Sequence, residues 1–141
     1  MNATIWLVAL LSLSLPAEYE LAGNTSERIA YSPGPPGYYA TEEFRSWRTP
    51  EGKALYLFLW KPSAPRALGP MAMAAEWPLV VAGQNTRIIE TSQFMGSRRR
   101  VLVTHLSFSE PKAAAMIYTT GIEREEFEKL LSGVKIVAEK D

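Results

Sequence analysis

One hairpin constrains the fold of this 141-residue chain more than any other segment. Segments 41–48 and 53–60 flank the turn Thr49-Pro50-Glu51-Gly52. Proline presets the first turn position, and glycine supplies the positive φ that closes the turn. This chemistry predicts a three-residue loop with a bulge, in which Thr49 pairs with Lys53 and Phe44 lies opposite Phe58.

The second strand of this hairpin is apolar on both faces. Leucines at 55, 57 and 59 line one face, and Tyr56, Phe58 and Trp60 line the other. A strand of this kind is normally covered on both sides. The sheet therefore has a layer against each side here, or one of its faces is a binding surface.

The remaining segments predict an α+β domain. Strand-like segments occur at 18–21, 28–31, 79–82, 87–94, 98–108, 113–120 and 134–137. Segment 70–77 predicts a short helix, because strong helix formers follow a proline suited to a first turn. Segment 122–131 predicts a second helix, with acidic residues in its first turns and Gly133 after its end. We expect an antiparallel sheet of about six or seven strands with two or three helices packed on it.

The first seventeen residues read as an export signal. Segment 5–15 is an uncharged run of apolar residues and serines, followed by Pro16-Ala17 and the acidic Glu18. It is too short for a membrane-spanning helix, which needs about 20 residues, but it fits the apolar region of a secretory signal. We predict that 1–17 is cleaved after Ala17 or kept as an anchor near a membrane, and that 18–141 forms a single domain.

Two features of this segment leave an alternative open. It has no Lys or Arg before the apolar run, and Leu15 is larger than the residue usual at that distance from a cleavage site. The segment could instead be a buried strand or helix of a cytosolic domain. If it is a signal, the protein is secreted or lies in a bacterial periplasm or envelope, where a domain without cysteine must rely on its core.

The composition excludes several classes of chemistry. The net charge is zero, so we predict no nucleic-acid partner. There is no cysteine, one histidine (His105) and one aspartate (Asp141), which excludes thiol chemistry and zinc sites built on Cys or several His. Glycine-rich phosphate loops are missing. We therefore predict no metal, no cofactor and no catalytic residue, although a Ser-His-Glu arrangement around His105 stays open.

Basic residues in the predicted strands 87–94 and 98–108 form one candidate site. Arg98-Arg99-Arg100 begins a predicted strand, and Arg87 lies on the neighbouring strand. Because side chains alternate along a strand, Arg99 points away from Arg98 and Arg100. Arg98 and Arg100, helped by Arg87, could hold a carboxylate or phosphate. The alternative is a solvated hairpin end whose charges discourage edge pairing.

Aromatic residues of the hairpin form the other candidate site. Tyr56, Phe58 and Trp60 could line a pocket or a docking face, or they could be core beneath a helix. His105 lies among apolar neighbours, which is more typical of an interior residue than of a base. Glu42 and Glu43 are adjacent on a strand and cannot act as a carboxylate pair.

The order of elements in the last third resembles a known family. Segments RIIETSQF, RRRVLVTHLSF, KAAAMIYTTGI, EREEFEKLLSG and VKIV run in sequence from about Arg87 to Val137. This order is similar to the C-terminal part of the PsbP/Mog1-type α/β sandwich, where long meander strands lead to a helix and a final strand. The resemblance implies a non-catalytic binding or assembly factor, often exported or lumenal. It assigns no role to any single residue.

Two functions follow from these features. The first is a non-enzymatic exported domain that binds a protein partner, or a small apolar or anionic ligand, on its sheet face. The second is a hydrolase-type enzyme that uses His105 with a Glu and a Ser. The sequence does not indicate an oligomeric state.

Overall fold

A computed structural model describes residues 3–31, 34–65, 73–92, 94 and 99–137. Strands make up 64% of these residues and helix 7%. The predicted α+β class with two or three helices is therefore wrong, and the domain is mostly β. Among the described residues, no helix is both long enough and apolar enough to span a membrane.

Within the described residues, ten strands form two antiparallel sheets. The small sheet has the order β1-β2-β10 and the large sheet the order β3-β4-β5-β9-β8-β7-β6. In chain order, the elements are β1 (Ala3–Val8), β2 (Leu11–Pro16), β3 (Glu20–Ala30), β4 (Tyr39–Arg48), β5 (Ala54–Lys61), β6 (Ala75–Val81), β7 (Gln84–Thr91), β8 (Val101–Ser109), β9 (Lys112–Thr120), α1 (Arg124–Ser132) and β10 (Lys135–Ile136).

The β4–β5 hairpin has the predicted turn and register. The Thr49 amide donates to the Lys53 carbonyl at 3.0 Å, and Phe44 pairs with Phe58. Gly52 has a φ of +86°, which a residue with a Cβ rarely adopts. Turn chemistry alone was sufficient to place these two strands.

The main core lies between the two sheets. Leu55, Leu57 and Leu59 point from β5 into it, and we call this side of the large sheet the inner face. The small sheet and α1 cover the inner face and contribute the fully buried Leu13 and Phe127. One covering layer thus combines a short helix with a small sheet.

Residues 3–16 form the β1–β2 hairpin of the small sheet. The β2 leucines at 11, 13 and 15 are at most 1% exposed and face the core of the large sheet. The serines between them point to the other side and are half-buried. The apolar run that resembles a signal thus lies in this hairpin, and its β2 side chains alternate regularly between the core and the other side of the sheet.

The predicted helix at 70–77 is wrong in its described part, since residues 75–77 belong to β6. Trp77, Leu79 and Val81 alternate toward the core, and Pro78 lies on an edge strand, where its missing N–H costs no ladder bond. Pairing with β7 therefore outweighs the helix propensity of the alanines. Residues 70–72 of this prediction lie outside the described part of the chain.

The two short strands predicted at 18–21 and 28–31 both overlap a single edge strand, β3, which also includes the residues between them. Its register shifts between Leu21 and Gly23. A Cβ at Gly23 would lie 2.6 Å from the Ser46 hydroxyl, so glycine permits a close approach of β3 to β4. Gly23 therefore lies inside a strand.

Candidate ligand-binding face

The face of the large sheet that is turned away from the small sheet carries a group of aromatic side chains. Three of them come from β5, because every second residue of a strand points to the same side. The register adds one from β4 and one from β9. We call this set the aromatic row, and it consists of Phe44, Tyr56, Phe58, Trp60 and Tyr118.

Four rings of the aromatic row lie nearly parallel to one another, and the fifth, that of Phe44, is tilted by 45° against Phe58. The ring centroids of Tyr56 and Tyr118 are 4.6 Å apart with an angle of 11° between planes, and those of Phe58 and Trp60 are 5.5 Å apart at 10°. Stacked rings cover the faces of their neighbours. A bound molecule would therefore meet ring edges, which carry the positive end of the aromatic quadrupole.

Burial differs along the row. Trp60 is 4% exposed, and its Nε1 donates to Glu42 Oε2 at 2.8 Å. Met116 and Phe94 pack into the same cluster, and the Phe94 ring lies 4.9 Å from that of Tyr118. The other four rings of the row are half-buried. The predicted trio thus divides into a buried anchor, Trp60, and two side chains that solvent still reaches.

The two tyrosines of the row carry hydroxyls without a partner. In the part of the chain that the structure describes, nothing hydrogen-bonds the Tyr56 or the Tyr118 hydroxyl. Burial, with a further contribution from neighbouring Tyr56, raises the pKa of Tyr118 to about 12. This phenol is therefore neutral at physiological pH and can donate a hydrogen bond.

The predicted arginines do not come together. Arg87 lies on the same face as the aromatic row and pairs with Glu76 on β6. Arg100 lies on the inner side, where its Nε is 3.3 Å from Glu90 and its guanidinium reaches the Ile122 carbonyl near the start of α1. Arg98 lies outside the described residues. Because Arg87 and Arg100 occupy opposite sides of the sheet, they cannot hold one anion together.

His105 lies on the aromatic side of the sheet and pairs in register with Met116. Burial lowers the pKa of His105, and the nearby Arg87 guanidinium lowers it further. Its Nε2 is buried without a hydrogen-bond partner, and no described Ser or Glu side chain bonds to the ring. The geometry around His105 thus lacks the contacts of an activated base.

The predicted separation of Glu42 and Glu43 is confirmed. Glu42 accepts from Trp60 on the aromatic side, whereas Glu43 pairs with Arg45 and accepts from Ser26. No group of three or more metal-binding side chains occurs within the described ranges.

Two members of the site were missed by the sequence analysis, Tyr118 and Phe94. Met116 and Tyr118 are two residues apart, which indicates that they share one face of a strand. This spacing does not indicate which other strand pairs with that strand. β9 pairs with β5, its neighbour in space but not in sequence, and this pairing stacks Tyr118 on Tyr56.

Comparison of the chain with protein-family models, curated proteins and solved structures finds no match. The resemblance to the PsbP/Mog1 group therefore stays a prediction.

Proposed function

We propose that this protein is a non-catalytic binding domain whose aromatic row contacts a small apolar molecule that carries a hydrogen-bond acceptor. The observation that carries the proposal is a pair of tyrosine hydroxyls, on a half-buried stack of rings, that no described residue hydrogen-bonds. An apolar body would bury against Phe44 and Phe58. Its acceptor would accept a hydrogen bond from the hydroxyl of Tyr56 or Tyr118.

The charges around the row favour this ligand over one held by ion pairs. The Arg87 guanidinium is neutralised by Glu76, and the lowered pKa of His105 keeps that ring neutral near pH 7. Phenol hydroxyls and the positive ring edges are then the groups available to an acceptor oxygen. Among the apolar and anionic ligands considered above, this arrangement supports an apolar one with a single polar end.

The proposal of a binding role without catalysis is supported by the surroundings of His105. Its side chain has no described Ser or Glu within hydrogen-bonding distance, so nothing there would activate a nucleophile. Tyr118, with its raised pKa, is a poor base at neutral pH.

A fluorescence titration with 6-propionyl-2-(dimethylamino)naphthalene tests the proposal, since this neutral probe joins apolar rings to a carbonyl acceptor. We expect saturable binding to the native protein, weakened about tenfold when Tyr56→Phe and Tyr118→Phe are combined, because neither hydroxyl can then donate a hydrogen bond to the acceptor. Tyr38→Phe is the matched control, since Tyr38 is 63% exposed and outside the row.

The proposal fails if the native protein does not bind the probe, or if the double variant and the control bind it equally. Each variant must also melt cooperatively, because this probe binds loosened cores.

We further propose that residues 3–16 remain in the mature domain. What supports this is the burial of Leu11, Leu13 and Leu15 against the inner face. Intact mass measurement of protein from its native host should find a chain that retains this segment. A mature N-terminus at Glu18 would overturn the proposal and support export with cleavage.

A further inference from the structure

The two sheets have four edges, and three of them carry features that discourage pairing with another strand. The β3 edge carries charges and a register shift. The β6 edge contains Glu76 and Pro78. The β10 edge is two residues long and begins with Lys135. Charges, proline, irregular register and shortness are the usual protections of an exposed edge.

In the described part of the chain, the fourth edge, β1, has none of these protections. Its six residues, ATIWLV, include no charge and no proline, and their pairing with β2 is regular. Ile5 is 60% exposed and Leu7 is 68% exposed, so the strand also presents an apolar stripe to solvent. An uncharged, regular, apolar edge is a template for another strand.

We propose that β1 pairs antiparallel with β1 of a second copy of this chain. This inference requires residues 3–16 to be retained, and it does not depend on the aromatic row. A two-fold register centred on Trp6 would place Ile5 of one copy opposite Leu7 of the other. Cross-strand pairs of apolar side chains stabilise such a ladder. The two small sheets would then form one continuous sheet of six strands.

The charge pattern favours a second copy as the occupant. Residues 3–16 contain no charged side chain, so a two-fold pair brings no like charges together at the new ladder. The surface beside the stripe consists of β2 serines, which are also uncharged. Pairing uses the one edge that lacks protection among the described strands, so the assembly closes as a dimer rather than growing.

Sedimentation analysis of the full chain across a wide concentration range tests the inference. We expect a dimer in reversible equilibrium. The double substitution Ile5→Lys with Leu7→Lys should raise the dimer dissociation constant by about tenfold or more, because four charges would meet at the ladder. Val80→Lys is the matched control, since Val80 is also 60% exposed and lies on the β6 edge.

Hydrogen exchange provides a second readout. Amides of β1 should exchange more slowly in the dimer than in the lysine variant, whereas the β6 amides should not differ. Both lysines replace exposed side chains, so cooperative melting of the variant verifies that the fold is intact.

A chain that stays monomeric at every concentration overturns the inference. So does a dimer that the β1 lysines leave unchanged or that Val80→Lys weakens as much. Growth beyond a dimer, or a monomer that floats with phosphatidylcholine vesicles through its Ile5–Leu7 stripe, also overturns it. Failure of the probe titration would leave this result unaffected, because the aromatic row lies on the large sheet.

Discussion

The Tyr19 hydroxyl donates a 2.8 Å hydrogen bond to Glu126 across 107 residues of sequence. Tyr19 lies between the two sheets and is 2% exposed, and Glu126 lies in α1. The Lys53 ammonium, from the end of the β4–β5 turn, is 3.0 Å from the same carboxylate. One side chain of the helix thus connects the segment between β2 and β3 with the residue that precedes β5.

Tyr19→Phe should destabilise the protein by about 1–2 kcal/mol, because it removes a hydrogen bond to a charged acceptor. Burial and, second, the hydrogen bond to Glu126 raise the pKa of Tyr19, so the phenol stays protonated at neutral pH. Urea unfolding at neutral pH measures the effect. Tyr38→Phe, at an exposed position, is the control and should be neutral. Equal unfolding midpoints for the two variants would contradict this prediction.

Glu126 should make stability depend on pH. Burial alone would raise its pKa, but hydrogen bonds from Lys53 and Tyr19 outweigh burial and lower the pKa below its ordinary 4.5. A carboxyl with a lowered pKa in the folded state stabilises the protein above its unfolded pKa, and this contribution is lost as pH falls through the folded pKa. The stability difference between native protein and Glu126→Gln should therefore be present at neutral pH and shrink below about pH 4.5.

Unfolding midpoints of both proteins, measured from neutral pH down to about pH 3, check this prediction. Glu125→Gln is the control, since the Glu125 side chain is 73% exposed. A difference for Glu126→Gln that stays constant over the range would show that the carboxylate charge contributes nothing.

Phe127→Ala should cost about 3–5 kcal/mol, as truncation of a buried aromatic residue does. Phe127 is 0% exposed and packs among the core residues of the inner face. Glu125→Ala, on the exposed side of the same helix, should change stability by less than about 0.5 kcal/mol. A denaturant melt gives both values. A loss below about 1 kcal/mol for Phe127→Ala would mean that the core relaxes around the helix.

Ala9→Asn should stabilise the protein by about 0.5–1 kcal/mol. Ala9 is exposed in the tight turn between β1 and β2 and has a φ of +51°, which asparagine tolerates better than alanine. Ala3→Asn is the control, because Ala3 is exposed in β1 without a positive φ. Thermal melting should give a higher melting temperature for Ala9→Asn than for the native protein. A lower melting temperature than that of the control would contradict the turn geometry.

Deletion of residues 1–17 should abolish cooperative unfolding. The truncation removes Leu11, Leu13 and Leu15, and each fully buried leucine contributes about 1.5–3 kcal/mol. It also leaves part of the inner face of the large sheet uncovered. Near-ultraviolet circular dichroism and a thermal melt measure the result. A truncated chain that melts like the full chain would show that the large sheet and α1 fold cooperatively without residues 1–17, as the signal hypothesis requires.

The sequence alone determined the elements whose physics is local. Turn chemistry at residues 49–52 placed the β4–β5 hairpin and its register, because proline and Gly52 act on their own backbone dihedrals. Apolar spacing and the first-turn acids located α1 around Phe127. Alternation along β5 correctly indicated that both sheet faces would carry apolar side chains.

Only the tertiary structure decided which segments lie side by side. Residues 75–77 form a strand because they pair with β7, and the helix propensity of a few alanines is worth less than a ladder of hydrogen bonds and a half-buried Trp77. Tyr118 joined the aromatic row, and Arg87 and Arg100 were separated, because strand order and face are set by pairing between distant segments. Those pairings depend on the burial of whole faces, which no local window of sequence contains.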